Sequence, residues 1–445
     1  MSNRSARRSA RPSPLNAALH AAICAHQAGD LADAERRYRA VLRAAPHNPD
    51  ALHYLGVARH QQGDPAEALR LIGCALELAP NYVDARNNLG NVQKESGLYG
   101  EAERSYRAVL AERPDFVMAL NNLGVVLKEQ GRHADAIASY RRAVALAPQF
   151  AQGWLNLGHA LKQSGERAEA LSAYYEAVML QTANTEAYRN MGHTLVAFGQ
   201  HDKALKVYEL WRKVEPDNPA VEHLIAACHG AAAPERASDS YVQHTFDHFA
   251  DSFDDVLDKL EYRAPLLCGE LLADLLGRPE QRLDVLDAGC GTGLCAPWLK
   301  PYARRLVGVD LSPGMLAKAA QRNVYDALDA AEVTAWLAAA DAGYDLIVSA
   351  DTLCYFGALE AVMAAAGGAL RPGGTLIFTV EATADSAAAP TFLLHPHGRY
   401  SHTEAYVREA LATAGLDVMR LRHVTLRTEV DLPVAGLLVG ARRPA

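Results

Sequence analysis

Between residues 15 and 218 the chain repeats one pattern of apolar and small positions every 34 residues. In ALNNLGVVLKEQG, Leu120, Leu123 and Leu127 recur at helical spacing around Gly124, and HADAIASYRRAVALAP continues as a second helix. Gly56, Gly90, Gly124, Gly158 and Gly192 hold this register, as do Gly63, Gly97, Gly131, Gly165 and Gly199, with Gly29 one period earlier. Ala34, Ala68, Ala102, Ala136, Ala170 and Ala204 follow it, as do Pro46, Pro80, Pro114, Pro148 and Pro216, with Thr182 at the remaining place. Each period predicts two helices. The first ends near the second glycine, which can take the left-handed conformation of a tight turn. The second carries the small alanine where a neighbour must approach, and proline stops it. Tyr38, Tyr106, Tyr140, Tyr174 and Tyr208 share its aromatic position, with Ile72 as the exception.

The pattern changes after the segment GAAAPERASDS, which reads as a linker ending near residue 238. In the next stretch Phe246, Phe249 and Phe253 recur at helical spacing, as a buried stripe on a docking helix or as a lid over a ligand. Leu283 to Leu286 then reads as a buried strand, followed by a glycine-rich turn, a helix and a second strand ending in Asp310. Strand, glycine turn, helix, strand and acid form the first half of a doubly wound sheet that binds a ribonucleoside. Side chains are expected to be excluded at Gly289, Gly291 and Gly293 so that backbone can approach the ligand, with Asp310 accepting from the ribose hydroxyls. YDLIVSADTLCYF predicts a fourth strand, ALRPGGTLIFTVE a helix, a Pro-Gly-Gly turn and a fifth strand, and GLDVMRLRHVTLRTE with VAGLLVGARR a final antiparallel pair.

The repeat resembles the tetratricopeptide repeat, with copies at about 15–48, 49–82, 83–116, 117–150, 151–184 and 185–218. A capping helix near PAVEHLIAACHG and the linker fill 219–238. VLDAGCGTG and GVDLSPGML resemble the first two motifs of class I S-adenosylmethionine-dependent methyltransferases. The dinucleotide fingerprint G-x-G-x-x-G is not met, because Leu294 stands where its third glycine would be. The chain as a whole resembles bacterial fusions of these two parts, whose catalytic part is similar to small-molecule methyltransferases of the biotin and ubiquinone pathway type.

The resemblance implies a multidomain chain: an N-terminal all-α tetratricopeptide solenoid, and over 239–445 an α/β Rossmann-like class I methyltransferase with a mixed seven-stranded sheet. It also implies S-adenosyl-L-methionine as cofactor. Gly289, Gly291 and Gly293 would cradle its methionine portion, with Cys290 in the same turn and Asp287 supporting it. Asp310, with Leu311 beside it, would hold the ribose, and Glu332 would stand near the adenine amine. Asp351 would face the methyl-transfer edge or act from behind it.

One residue type remains unexplained by packing. Asn88, Asn122, Asn156 and Asn190 lie two places before the first glycine of four successive repeats, where His20 and Tyr54 stand in the earlier ones. Asparagine is a mediocre helix former. A row of its amides facing the groove would pair with the backbone of an extended peptide, or each would bond a carbonyl on the neighbouring repeat. On the acceptor side, His244, Tyr355, Glu381, Tyr400 and His402 are candidate catalytic groups, and Arg399, Tyr400 and His402 could bind an acidic or amide group. Methyl transfer from a sulfonium needs mainly positioning, so no base is obligatory.

Composition changes this picture little. The chain has 445 residues, 50% hydrophobic and 22% charged, enough for two or three cores, and a net charge of −8 disfavours a nucleic-acid partner. The seven cysteines form no C-x-x-C pair, and there is no apolar run of 18 residues, so a reduced, cytoplasmic protein with no membrane partner is expected. The basic, Ser-rich residues 1–14 read as a disordered tail rather than a secretory signal. His395, His397 and His402 match no structural zinc spacing, and no metal is expected. Three functions follow: a peptide or protein methyltransferase recruiting its substrate in the concave repeat groove; a small-molecule or carrier-bound methyltransferase whose repeats dock a partner or drive oligomerisation; and a non-catalytic adaptor.

Overall fold

The computed structural model describes residues 13–229, 233–384, 390–429 and 432–445. Of the expected tail, residues 1–12 lie outside these, while Ser13 caps the first helix by accepting from the Asn16 N–H at 3.2 Å. Residues 230–232 of the expected linker also lie outside. The chain forms two compact units, residues 1–194 and 195–445.

The repeat helices come in pairs: α1 and α2 (Pro14–Gln27, Leu31–Ala44), α3 and α4 (Pro49–Gln61, Pro65–Leu78), α5 and α6 (Val83–Glu95, Tyr99–Glu112). They continue as α7 and α8 (Val117–Glu129, His133–Leu146), α9 and α10 (Ala151–Gln163, Arg167–Leu180) and α11 and α12 (Thr185–Ala197, His201–Val214). Within the first unit, α1 packs on α3, α3 on α5, α5 on α7 and α7 on α9, so the first helices crowd one side. The first glycine of each period serves close approach rather than a turn. A Cβ on Gly124 would stand 2.6 Å from the buried Tyr140 ring, and one on Gly158 equally close to Tyr174. At Gly56 the partner is Ile72, so the exception in the aromatic column still fills the same notch. The second glycine makes the turn, with φ of 76° at Gly131.

This packing carries a quantitative expectation. Gly124→Ala should destabilise the repeats by about 1–3 kcal/mol through overpacking against Tyr140. Gly73→Ala, in α4 where a Cβ meets nothing within 4 Å, should be neutral or stabilising. Urea titration followed by helical circular dichroism separates the two; equal midpoints would show that the glycine is not needed for the approach.

The second unit begins with α12 and α13 (Pro219–His229), followed by α14 (Asp239–Phe249), α15 (Phe253–Lys259) and α16 (Ala264–Leu276). Then come β1 (Leu283–Ala288), α17 (Ala296–Leu299), β2 (Ala303–Asp310), α18 (Pro313–Gln321), β3 (Ala327–Ala330), α19 (Val333–Ala339) and β4 (Tyr344–Ser349). The chain closes with α20 (Glu360–Ala369), β5 (Leu370–Ala382), β6 (Phe392–Leu394), β7 (Tyr400–His402), α21 (Glu404–Thr413), β8 (Asp417–Glu429) and β9 (Leu432–Arg442). The main sheet runs β3-β2-β1-β4-β5-β9-β8, parallel through β5 and antiparallel in its last two pairings. This is the expected mixed seven-stranded sheet. It is extended by the hairpin β6–β7, whose second strand pairs with Glu381 and Ala382 at the end of β5. Pro372, Gly373 and Gly374 lie within β5 as an irregularity against β4, rather than in a turn before it. Apolar clusters cover both faces, one led by Phe378 and Leu411, the other by Leu271 and Leu346.

Candidate active site

The carboxyl ends of β1, β2 and β4 open into a cleft of ≈ 870 Å³, counted to its mouth, where ligands bind in sheets of this order. After β1 the chain turns sharply. The N–H groups of Gly289 and Cys290 both bond the Val309 carbonyl, at 2.8 and 3.0 Å, and the Gly291 N–H donates to Asp310 Oδ2 at 2.9 Å. The other oxygen of Asp310 accepts from the Ser312 N–H at 2.9 Å. Burial raises the Asp310 pKa against these backbone donors. Asp310 thus holds the loop as well as facing the cleft.

The three glycines have different reasons. All have positive φ: 76°, 53° and 86° at Gly289, Gly291 and Gly293. A Cβ on Gly289 would overlap Thr352, and one on Gly293 would come within about 3 Å of Tyr325 and Arg322. Only at Gly291 is the way open, with Phe253 the nearest atom at 3.9 Å. A side chain would thus meet protein at Gly289 and Gly293 but not at Gly291, and Gly289 and Gly291 both line the cleft. Asp287 lies beneath the loop, 1% exposed, accepting from Tyr325 Oη at 2.6 Å; burial pushes its carboxyl up to about 7. Cys290, Leu311 and Glu332 line the cleft with Asp310. Glu332 also caps α19, accepting from the Thr334 and Ala335 N–H groups at 2.9 and 2.8 Å.

The aromatic stripe proves to be a cover. Phe246 and Phe253 line the cleft, with Tyr355 edge-on to Phe246 at 5.4 Å. Two carboxylates fasten this cover to the glycine turn after β1 and to the ends of α18. Asp247 accepts from Ser312 Oγ at 2.5 Å and the Gly314 N–H at 3.1 Å. Asp254 accepts from Thr292 Oγ1 at 2.5 Å and pairs with Arg322 at 2.7 Å. The end of the expected linker is part of the site too. The Ala237 N–H donates to the Tyr355 carbonyl at 2.8 Å, and Arg236 lines the cleft, pairing with Asp239 at 2.8 Å and Glu332 at 3.4 Å.

At the far end, Asp351 lines the cleft just past β4 with a left-handed φ of 56°. Its N–H donates to Thr379 Oγ1 at 2.8 Å and its Oδ2 accepts from Arg427 at 2.8 Å, while Oδ1 is buried with no hydrogen-bond partner. Arg427, 2% exposed, also donates to Glu381 and, at 2.7 Å, to Glu429. Arg399 pairs with the same two glutamates. The sequence had marked Glu381 and Arg399 singly. It offered no sign of Arg427 and Glu429, two charges in an ordinary alternating strand.

Of the other acceptor-side candidates, only Tyr355 lines the cleft. Tyr400, fully buried, donates to the Pro234 carbonyl at 2.8 Å. His402, also fully buried, bonds the Gly357 carbonyl at 3.0 Å, and burial lowers its pKa to about 4. His244 lies on α14 outside the cleft lining. Tyr400 and His402 are thus fixed to main-chain carbonyls in the core, away from a reacting group.

In the first unit, each asparagine of the row turns its amide to the preceding repeat. Asn88 donates to His53 Nε2 at 2.8 Å, Asn122 to Asn91 Oδ1 at 3.0 Å, Asn156 to Asn121 Oδ1 at 2.9 Å and Asn190 to His159 Nε2 at 3.1 Å. Between repeats the bonds go to side chains rather than to carbonyls, while Asn190 also donates to the Glu186 carbonyl of its own helix at 3.0 Å. The oxygens are engaged as well, Asn88 Oδ1 accepting from Asn91 at 3.4 Å, Asn122 Oδ1 from Asn121 at 3.4 Å and Asn156 Oδ1 from Gln152 at 3.1 Å.

Comparison with known proteins divides the chain in the same way. Residues 260–432 match the family described as a methyltransferase domain, and residues 21–83, 87–151 and 161–228 match families described as tetratricopeptide repeats. The human methyltransferase-like protein 27 is 38% identical over 111 residues, covering 25% of this chain and 43% of that protein. The malonyl-[acyl-carrier protein] O-methyltransferase of Enterobacter lignolyticus (strain SCF1) is 32% identical over 168 residues, covering 38% and 57%. The chain spans about half the length of these curated relatives. A solved structure of MamA is similar over 36% of this chain and 94% of its own, at 25% identity and a TM-score of 0.34. Among the described residues, no helix is long and apolar enough to cross a membrane.

Proposed function

The chain carries tetratricopeptide repeats in its N-terminal half and a methyltransferase domain in its C-terminal half, and we propose that it transfers a methyl group from S-adenosylmethionine to an acceptor on a peptide or protein docked by the repeats. The observation that carries this reading is the loop at Gly291. It is the one glycine of the turn facing open space, and Asp310 is hydrogen-bonded to it. A carboxylate of this kind, at the end of the second strand, has lone pairs left for two ribose hydroxyls. The residues fit the group. Gly291 lets backbone approach the methionine portion, Asp310 takes the ribose, Leu311 and Val333 flank the base, and Glu332 stands at its rim. Bound S-adenosylmethionine supplies a methyl carbon activated by a sulfonium. The protein's own part is to hold the acceptor in line and to exclude water, which the Phe246–Phe253 cover does. Such positioning is worth roughly 7–11 kcal/mol of barrier in well-oriented systems.

A second reading is supported by the asparagine amides being used between repeats. In it the acceptor is small or carrier-bound, and the repeats dock a partner or a second copy. The two are separated by incubating the full chain with methyl-tritiated S-adenosylmethionine and a cell lysate, with and without prior proteolysis. Label in protease-sensitive material supports the first reading, label confined to small molecules supports the second, and no label under either condition overturns methyl transfer.

A further inference from the structure

Resting on the methyltransferase reading, we infer that the acceptor is an amine, drawn to the unpartnered oxygen of Asp351 in the cleft. Asp351 Oδ1 would take the ammonium's proton, which frees the nitrogen lone pair to accept the methyl carbon as its bond to sulfur breaks and the electron pair stays on sulfur. The charge around Asp351 is the first ground. Asp351, Glu381 and Glu429 face only two guanidinium groups, Arg399 and Arg427, and both of these are engaged by the carboxylates. Burial, followed by repulsion from Arg399, lowers the His397 pKa to about 4, and His395 is lowered by burial as well, so neither imidazole adds a positive charge at neutral pH. The cation lining the cleft, Arg236, is paired with Glu332 and Asp239. Among the described residues a carboxylate acceptor would find no unpaired cation lining the cleft and would meet Asp351.

The second ground is Asp351 itself. A buried carboxylate oxygen without a donor is costly, and a non-glycine residue in the left-handed region adds strain. Both are held in place, by Arg427 on Oδ2 and by Thr379 on the backbone N–H, while Oδ1 is left over. Burial, outweighing Arg427, holds the Asp351 pKa above the usual carboxylate range, so that it can accept a proton. The third is the lining: Phe246, Phe253, Tyr262 and Tyr355 line the same cleft as Asp351. Aromatic faces beside a carboxylate favour a substituted ammonium.

The test compares two probes of similar size and opposite charge, phenethylamine and phenylacetate, by calorimetry on the full chain with and without saturating S-adenosylhomocysteine. Phenethylamine is expected to bind at least about tenfold more tightly, as one desolvated charge contact provides. Asp351→Asn should abolish that preference while leaving S-adenosylhomocysteine affinity within about twofold. Equal or tighter binding of phenylacetate to the wild-type chain, which needs no variant, overturns the inference. So does a preference that survives Asp351→Asn. A large loss of S-adenosylhomocysteine affinity in that variant would assign Oδ1 to the cofactor's own ammonium and likewise overturn it. Failure of the wild-type chain to bind S-adenosylhomocysteine sinks the methyltransferase reading separately, and the probe comparison on the chain alone still decides the polarity around Asp351.

Discussion

Arg427→Leu is expected to lower the stability of the C-terminal unit by about 3–5 kcal/mol, the cost of stranding buried charges whose partner is removed. Arg427 is 2% exposed and bridges Asp351, Glu381 and Glu429 from three different elements. Without it Arg399 alone faces Glu381 and Glu429, and Asp351 has no cation. Adding Glu381→Leu should recover part of the loss, since a buried ion pair replaced by apolar groups is often neutral. The pH dependence has a definite sign. Burial leaves Asp351 above the usual carboxylate range, so it contributes with the opposite sign. For Glu381 and Glu429 the guanidinium groups of Arg399 and Arg427 outweigh burial and hold both below the usual glutamate range. Their contribution is therefore complete above about pH 5 and is lost as the pH falls through the folded values. The deficit of the variant should accordingly be largest at neutral pH and shrink in acid. Urea unfolding at pH 7 and pH 4 measures this; a deficit below 1 kcal/mol at pH 7 would mean that the network is solvated.

Asp310→Ala is expected to weaken S-adenosylmethionine binding by on the order of 100-fold or more, since two hydrogen bonds to a charged acceptor are lost. The same change releases the N–H groups of Gly291 and Ser312, which adds disorder of the loop to the loss of contact. Asp310→Asn keeps one acceptor oxygen and should fall between the two. The melting temperature of each variant, taken without ligand, separates a binding defect from a folding one. Unaltered affinity in Asp310→Ala, with the fold retained, would remove Asp310 from the site.

Much of this architecture is visible in the chain because it depends on identity at a few crowded places. A glycine under a tyrosine ring, repeated every 34 residues, announces a helix pair whether or not the rest is preserved. The glycine turn and the acid at Asp310 are legible for the same reason, as backbone geometry there restricts the residue type. The hairpin β6–β7 escaped notice because its strands are three residues each, too short for a period. The Arg427 network escaped because a charge in an alternating strand reads as solvent-facing, and only the fold brings β5, β8 and the turn before β7 together. The asparagine row shows the opposite case. Its register was plain, but its partners, His53, Asn91, Asn121 and His159, are each residues of another column, and nothing in the sequence pairs them.

That the cleft binds S-adenosylmethionine underlies every other statement about this protein's chemistry. Isothermal titration of S-adenosylmethionine into the full chain tests it most directly. One molecule per chain, bound in the micromolar range and displaced by S-adenosylhomocysteine but not by the dinucleotide NAD, is the expected result. No heat of binding together with no rise in melting temperature, or preferential binding of the dinucleotide, would contradict it.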